Sequence, residues 1–135
     1  MNIQPTPAQL NSLRLPNTIS YGFQYVQSEP HLAATITQND HNTQHTGVIQ
    51  GGVLCTLAET LANMAAQLAV PHRYVVLGQC LNINYCKAAK GVIRAVAKPL
   101  HSGKQTCVYS VEMTDSGNTL VAIATFTGGI RKQKA

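Results

Sequence analysis

Tryptophan is absent from this chain of 135 residues, and phenylalanine occurs only twice. Stacked aromatic platforms for nucleobases are therefore not expected. Charge is scarce too: charged residues make up 11%, and only five are acidic. Ten Lys and Arg give a formal charge of +5, part of it in the tail at Arg131, Lys132 and Lys134. A basic surface with few acids suits a small polyanionic ligand, and no nucleic-acid motif accompanies it. No apolar run approaches the roughly 18 residues of a membrane span. Residues 1–16 lack a basic segment followed by an apolar one, so no signal peptide is expected and the cytoplasm is the expected compartment. Cys55, Cys80, Cys86 and Cys107 form no Cys-x-x-Cys pair and have no His at metal-ligand spacing. They lie in apolar segments, so buried free thiols are expected and no metal.

The length fits one domain with a real core. Residues 6–14 read as a short helical extension, with Thr6 as N-cap, Pro7 in the first turn and Pro16 as its stop. Strands follow around 21–28 and 32–37, flanking a turn at Glu29-Pro30. Residues 38–47 are polar and end in Gly, hence a loop. Residues 51–69 form the one long helix, stopped by Pro71. Its apolar positions are so many that it reads as buried nearly all round. Glu59, Asn63 and Gln67 form a polar stripe at i, i+4 and i+8, either a solvated face or a functional one. Segments near 75–86, 92–100, 105–114 and 119–130 are rich in Val, Ile, Thr and Tyr and are parted by Gly-containing turns. The order β-β-α-β-β-β-β with short turns predicts an antiparallel meander wrapped around a central helix, an α+β fold.

The stretch from Gln44 to Glu59, QHTGVIQGGVLCTLAE, carries the chemistry. Gly51 and Gly52 stand where the helix begins, and glycine lets a ligand approach the backbone. The first N–H groups of a helix lack internal partners and point out from its positive end. A carbonyl oxygen or a nascent oxyanion fits there. Glu59, one to two turns on, is placed near the same face. A polarising helix tip with a carboxylate nearby is a layout for hydrolysing an activated acyl group.

These residues resemble the hot-dog-fold acyl-CoA thioesterases of the phenylacetate-degradation and 4-hydroxybenzoyl-CoA type, over about Tyr21 to Ile130. The family pattern is Asn or Gln, then Gly, then His-Gly-Gly, then Leu-x-Asp/Glu within the helix. Gln44, Gly47, Gly51-Gly52, Leu57 and Glu59 stand at matching spacing. LNINYCKAAKG (81–91) resembles the strand and turn after the helix. AKPLHSGKQTCVYSVEM (97–113) resembles the segment with a Gly-Lys or Gly-Arg step beside the cofactor phosphates. The resemblance implies Glu59 as nucleophile or general base. It implies that the Gly51 N–H polarises the thioester carbonyl and that Gln44 holds the water or the neighbouring subunit's carboxylate. It also implies a homodimer or homotetramer with the site shared between subunits. Coenzyme A would be part of the substrate, and no further cofactor is expected.

The family His is Gln50 here. A Gln amide can donate a hydrogen bond but cannot carry a proton or a positive charge. Loss of a positioned donor typically costs about 2.7–4 kcal/mol of barrier, and its replacement by another donor less. A slow enzyme with altered preference is expected, with a non-catalytic acyl-CoA binder as one alternative. A second is an enoyl-CoA hydratase using Asp40 and His45, because Asp40, Asn42 and His45 echo a hydratase motif. The short segment from His45 to Gly51 argues against it.

Further substrate- or CoA-binding candidates are Gly52, His45, Asn63, Asn84, Tyr85, Lys87, Gly103 and Lys104. Asn84 and Tyr85 would line the acyl pocket. Lys104 and Lys87, with Lys90, Arg131 and Lys132 behind them, would meet CoA phosphates. Each of these lysines is otherwise an ordinary solvated side chain, and Tyr85 is otherwise core.

Overall fold

A computed structural model describes residues 4–134. Two short helices, α1 (Pro7–Asn11) and α2 (Pro16–Ser20), precede strands β1 (Phe23–Val26) and β2 (Ala33–Thr37). The long helix α3 (Gly51–Ala69) follows, and then β3 (Tyr74–Tyr85), β4 (Val92–Ser102), β5 (Thr106–Thr114) and β6 (Leu120–Lys132). All six strands form one antiparallel sheet in the order β1-β2-β4-β5-β6-β3.

The expected meander holds for β4, β5 and β6 but not for β3. β3 pairs with β6 at the far edge, and β4 pairs with β2. The connection 86–91 therefore crosses from one edge strand to the middle of the sheet. It passes below the start of α3, where the Ile49 N–H donates to the buried Ala89 carbonyl at 2.8 Å.

Val53, Leu54, Leu57, Ala58, Leu61, Ala62 and Ala66 put the apolar stripe of α3 on the sheet. Beneath it lie Phe23, Ile36, Ile93, Val111, Met113, Val121 and Phe126, all fully buried. Cys107, Tyr109, Val111 and Met113 alternate inward along β5, as a half-covered strand requires. The helix is thus buried along one face rather than all round. Met64, Ala65 and Leu68 are half-buried, and Ala69 is exposed.

Pro16 opens α2 instead of only ending the first helix. It sits at the first helical position, where a missing N–H is no loss. Between the two helices the chain is held to edge strand β1. Asn11 exchanges two hydrogen bonds with the Tyr25 backbone at 2.7 and 3.1 Å, and Arg14 donates to the Phe23 carbonyl at 2.6 Å. The cysteines are free, but only Cys107 is buried; Cys55 is half-buried, and Cys80 and Cys86 are exposed. They lie on outward positions or past the end of β3, where an apolar sequence run does not mean burial. No helix of the described residues is long and apolar enough to cross a membrane.

Candidate active site

The loop before α3 is held by Asn42, which is 1% exposed. Its amide donates to the Tyr21 and Thr37 carbonyls at 2.8 and 2.9 Å, and its Oδ1 accepts from the Asn39 N–H at 2.8 Å. Its carbonyl accepts from the Gln50 N–H at 2.8 Å, which fixes the residue that caps the helix. Gly47 turns the loop with φ +84°, a region that favours glycine. Gln44 lies on the exposed side of this turn, and its amide donates to Thr46 Oγ1 at 2.8 Å. Gln50 is exposed and makes no side-chain capping bond.

The Gly51 and Gly52 N–H groups carry no hydrogen bond among the described residues. The two glycines differ in what surrounds them. A Cβ on Gly51 would lie 3.0 Å from the Tyr85 ring and hydroxyl, whereas a Cβ on Gly52 would meet nothing within 4 Å. Gly51 therefore makes room for Tyr85, and the open approach lies at Gly52. The Tyr85 hydroxyl donates to the Gly51 carbonyl at 2.9 Å, and the Cys55 thiol lies 3.1 Å from the same hydroxyl. Since that hydrogen serves Gly51, the thiol is the donor of the second contact. Burial of this hydroxyl, with the Cys55 contact adding to it, pushes the Tyr85 pKa up to about 12. The phenol stays protonated, and so remains a donor, across the physiological range. Tyr85, Gln44, Gly51, Leu54 and Lys87 line a cleft of about 380 Å³ at the helix tip.

The polar stripe of α3 divides in two. The Gln67 amide donates to the Tyr74 carbonyl and accepts from the Val76 N–H, both at 2.9 Å, and Asn63 donates to the Val76 carbonyl at 3.1 Å. These two side chains bind the first residues of edge strand β3. Glu59 is exposed and has no hydrogen bond or ion pair among the described residues. Its carboxylate leans toward Gly78, where an added Cβ would lie 3.4 Å from Oε1. Gly78 stands at a register shift in the β3–β6 ladder, so the strand bulges beside the carboxylate.

Glu59 and Gly51 are separated along α3. Eight residues advance about 12 Å along the axis and turn roughly 80° around it. Gly103 and Lys104 are more remote. They line a cleft with Ala66, Ala69 and Tyr74 at the C-terminal end of α3, about 27 Å from Gly51 at 1.5 Å per residue. Gly103 allows close packing of the turn, since a Cβ there would lie 2.8 Å from His101 Nε2. Lys87 reaches the helix-tip cleft, but its ammonium is paired with Asp115 at 2.7 Å, and that contact lowers the Asp115 pKa. Asn84 points to solvent beside Asn82, 3.2 Å away. Asp40 and His45 are both exposed and share no hydrogen bond or ion pair among the described residues.

Residues 10–129 match the family described as a domain of unknown function, DUF4442. The chain belongs to that family. It is 32% identical over 125 residues to PM0788 of Pasteurella multocida, provisionally named an esterase, covering 90% of each chain. It is 31% identical over 100 residues to the 1,4-dihydroxy-2-naphthoyl-CoA hydrolase of Escherichia coli, covering 73% of this chain and 74% of that one. The crystal structure of thioesterase HI1161 from Haemophilus influenzae superposes with a TM-score of 0.91 at 25% identity, over 97% of this chain and 94% of the other. These likenesses place the chain among the hot-dog-fold thioesterases, as the motif order from Gln44 to Glu59 leads one to expect.

Proposed function

We propose that the chain hydrolyses an acyl-CoA thioester to a free acid and coenzyme A, with Glu59 as nucleophile at the thioester carbon or as base for the attacking water. The observation that carries this reading is the state of Glu59. It is the one member of its stripe left without a partner among the described residues, beside a bulged strand and in a chain similar to CoA-thioester hydrolases. The N–H groups of Gly51 and Gly52 offer donors to the thioester carbonyl as it gains negative charge. Gln50 replaces the family His as a neutral donor at the same tip. Coenzyme A enters as part of the substrate, and this reading needs no other cofactor.

The spacing along α3 favours a site completed by a second copy of the chain. A carbonyl held by a hydrogen bond of about 3 Å and attacked from about 3–3.5 Å spans less than the 12 Å between Gly51 and Glu59. An antiparallel partner helix would bring the Glu59 of one protomer toward the helix tip of the other. It would also bring Lys104 toward the neighbour's Gly51. The outer edge of β3 suits such pairing. Its first residues are covered by Gln67 and Asn63, whereas beyond them Leu77 and Tyr85 are 51% and 52% exposed.

Release of coenzyme A thiol from aromatic and aliphatic acyl-CoA esters tests the reading. Wild type is expected to turn over at least one ester, and Glu59→Ala to lose at least about a hundredfold in kcat, in line with a lost acid–base group. Binding of CoA esters without turnover by wild type would make the chain an acyl-CoA binder and withdraw the hydrolase.

A further inference from the structure

The two N–H groups at the start of α3 sit in peptides with different partners. The Gly51 N–H shares its peptide with the Gln50 carbonyl, which accepts from the backbone N–H groups of Val53 at 3.0 Å and Leu54 at 3.4 Å. The Gly52 N–H shares its peptide with the Gly51 carbonyl, which accepts from the Tyr85 hydroxyl at 2.9 Å. This peptide is trans, so its carbonyl and its N–H point in opposite directions. Tyr85 therefore acts on the far side of the amide and leaves the N–H free for a ligand.

Two further observations single out the same amide. Gly51 is half-buried, and the Tyr85 ring stands 3.0 Å from where its Cβ would be; Gly52 is exposed, and a Cβ there would meet nothing within 4 Å. The Cys55 thiol, 3.1 Å from the Tyr85 hydroxyl, donates to it, so thiol, hydroxyl and peptide form one chain of hydrogen bonds. Each bond in such a chain polarises the next. A carbonyl that accepts one more hydrogen bond draws electron density from its own amide nitrogen, and the N–H of that amide becomes a stronger donor.

We infer that Tyr85 is a positioning residue that holds and polarises the peptide between Gly51 and Gly52, and that the Gly52 N–H is the principal donor to the oxygen of the reacting carbonyl. This rests on the reading of the chain as a thioester hydrolase, and it assigns the donor within that reaction. The benefit falls on the transition state, where the oxygen carries negative charge and a stronger donor counts for more than at a neutral carbonyl. Tyr85 then acts on kcat rather than on substrate binding. Its ring separately fills the space beside Gly51, and Tyr85→Phe keeps that ring.

Two measurements on the full chain test this. The first is the steady-state hydrolysis of benzoyl-CoA and aliphatic acyl-CoA esters. A positioned donor to such an oxygen is worth about 10²–10³ in kcat, and a neighbouring bond strengthens it by roughly 10–30%, so Tyr85→Phe is expected to lower kcat about two- to eightfold with KM unchanged. The second follows backbone amide proton shifts on adding a ketone analogue of benzoyl-CoA, in which a methylene separates the carbonyl from the sulfur and removes the scissile bond. In wild type the Gly52 proton is expected to move downfield further than the Gly51 proton, and in Tyr85→Phe that movement is expected to shrink. Turnover with kcat unchanged in Tyr85→Phe, or with the larger movement at Gly51, would overturn the assignment and leave the hydrolase reading standing. No turnover, with a Tyr85-dependent movement at Gly52, would overturn the hydrolase reading and leave the donor assignment standing. No turnover and no movement at Gly52 would overturn both.

Discussion

Tyr85 and Gly51 show how one hydrogen bond organises the helix tip. The Tyr85 hydroxyl reaches across from the end of β3 to the Gly51 carbonyl, and the missing Cβ of Gly51 is the space its ring fills. Tyr85→Phe removes that bond and keeps the ring. A loss of about 0.5–1.5 kcal/mol of stability is expected by denaturant titration, with a fall in kcat larger than any change in KM. Gly51→Ala is expected to be worse than Gly52→Ala in both readouts, because only the first meets Tyr85. Thermal melts and thiol release on the two alanine variants check this ordering. Equal effects would mean that the ring contact is irrelevant. The sequence marks Gly51, Gly52 and Glu59 through their place at the head of a long apolar helix. It does not reveal that Tyr85 packs on Gly51, since 34 residues separate them and only the fold brings them together. Asn42 escapes notice for the same reason. Its three carbonyl and N–H partners at Tyr21, Thr37 and Asn39 look like an ordinary polar loop in one dimension.

At the scale of elements, α3 is a strut whose polar stripe binds an edge strand. Gln67 satisfies both a donor and an acceptor of β3, and Asn63 a further acceptor. Gln67→Leu leaves these backbone groups unpaired next to an apolar side chain. The expected loss is about 1–3 kcal/mol in denaturant unfolding, with fraying of residues 74–76 visible in amide exchange. Retained protection there would show that water replaces the glutamine freely. The long helix and the three strands of the meander were legible, since each has its own period and its own bounding turns. The stripe at Glu59, Asn63 and Gln67 was legible as a choice between solvent and function. The structure splits it, because two members hydrogen-bond β3 and one does not. The place of β3 was not legible. Strand order depends on which edge the chain reaches after the helix, and the link 86–91 carries no mark of a crossing. The second helix was hidden by Pro16, a residue that ends one helix as readily as it starts another.

At the scale of the molecule, the core holds weak acids in neutral form. Burial pushes Tyr25 up to about 12, and it also raises Cys107 and Tyr109 above their usual values. The folded state therefore keeps these protons where the unfolded chain would release them. Stability is expected to be level up to about pH 9, then to fall as pH rises toward 12. Urea midpoints across that range check this, and Tyr25→Phe should flatten part of the decline. The same scale sets the sharpest demand of the proposed mechanism, a site built from two chains. Glu59→Gln and a Gln44→Ala, Gln50→Ala chain would each be inactive or nearly so alone. Mixed and reassociated, they form hybrids in which one site keeps Glu59 from one protomer and an intact helix tip from the other. The most direct measurement is thiol release from that mixture. Recovery of activity well above either parent is the predicted result. A mixture no more active than the parents, with hybrid assemblies present, would contradict a shared site at Glu59 and the helix tip.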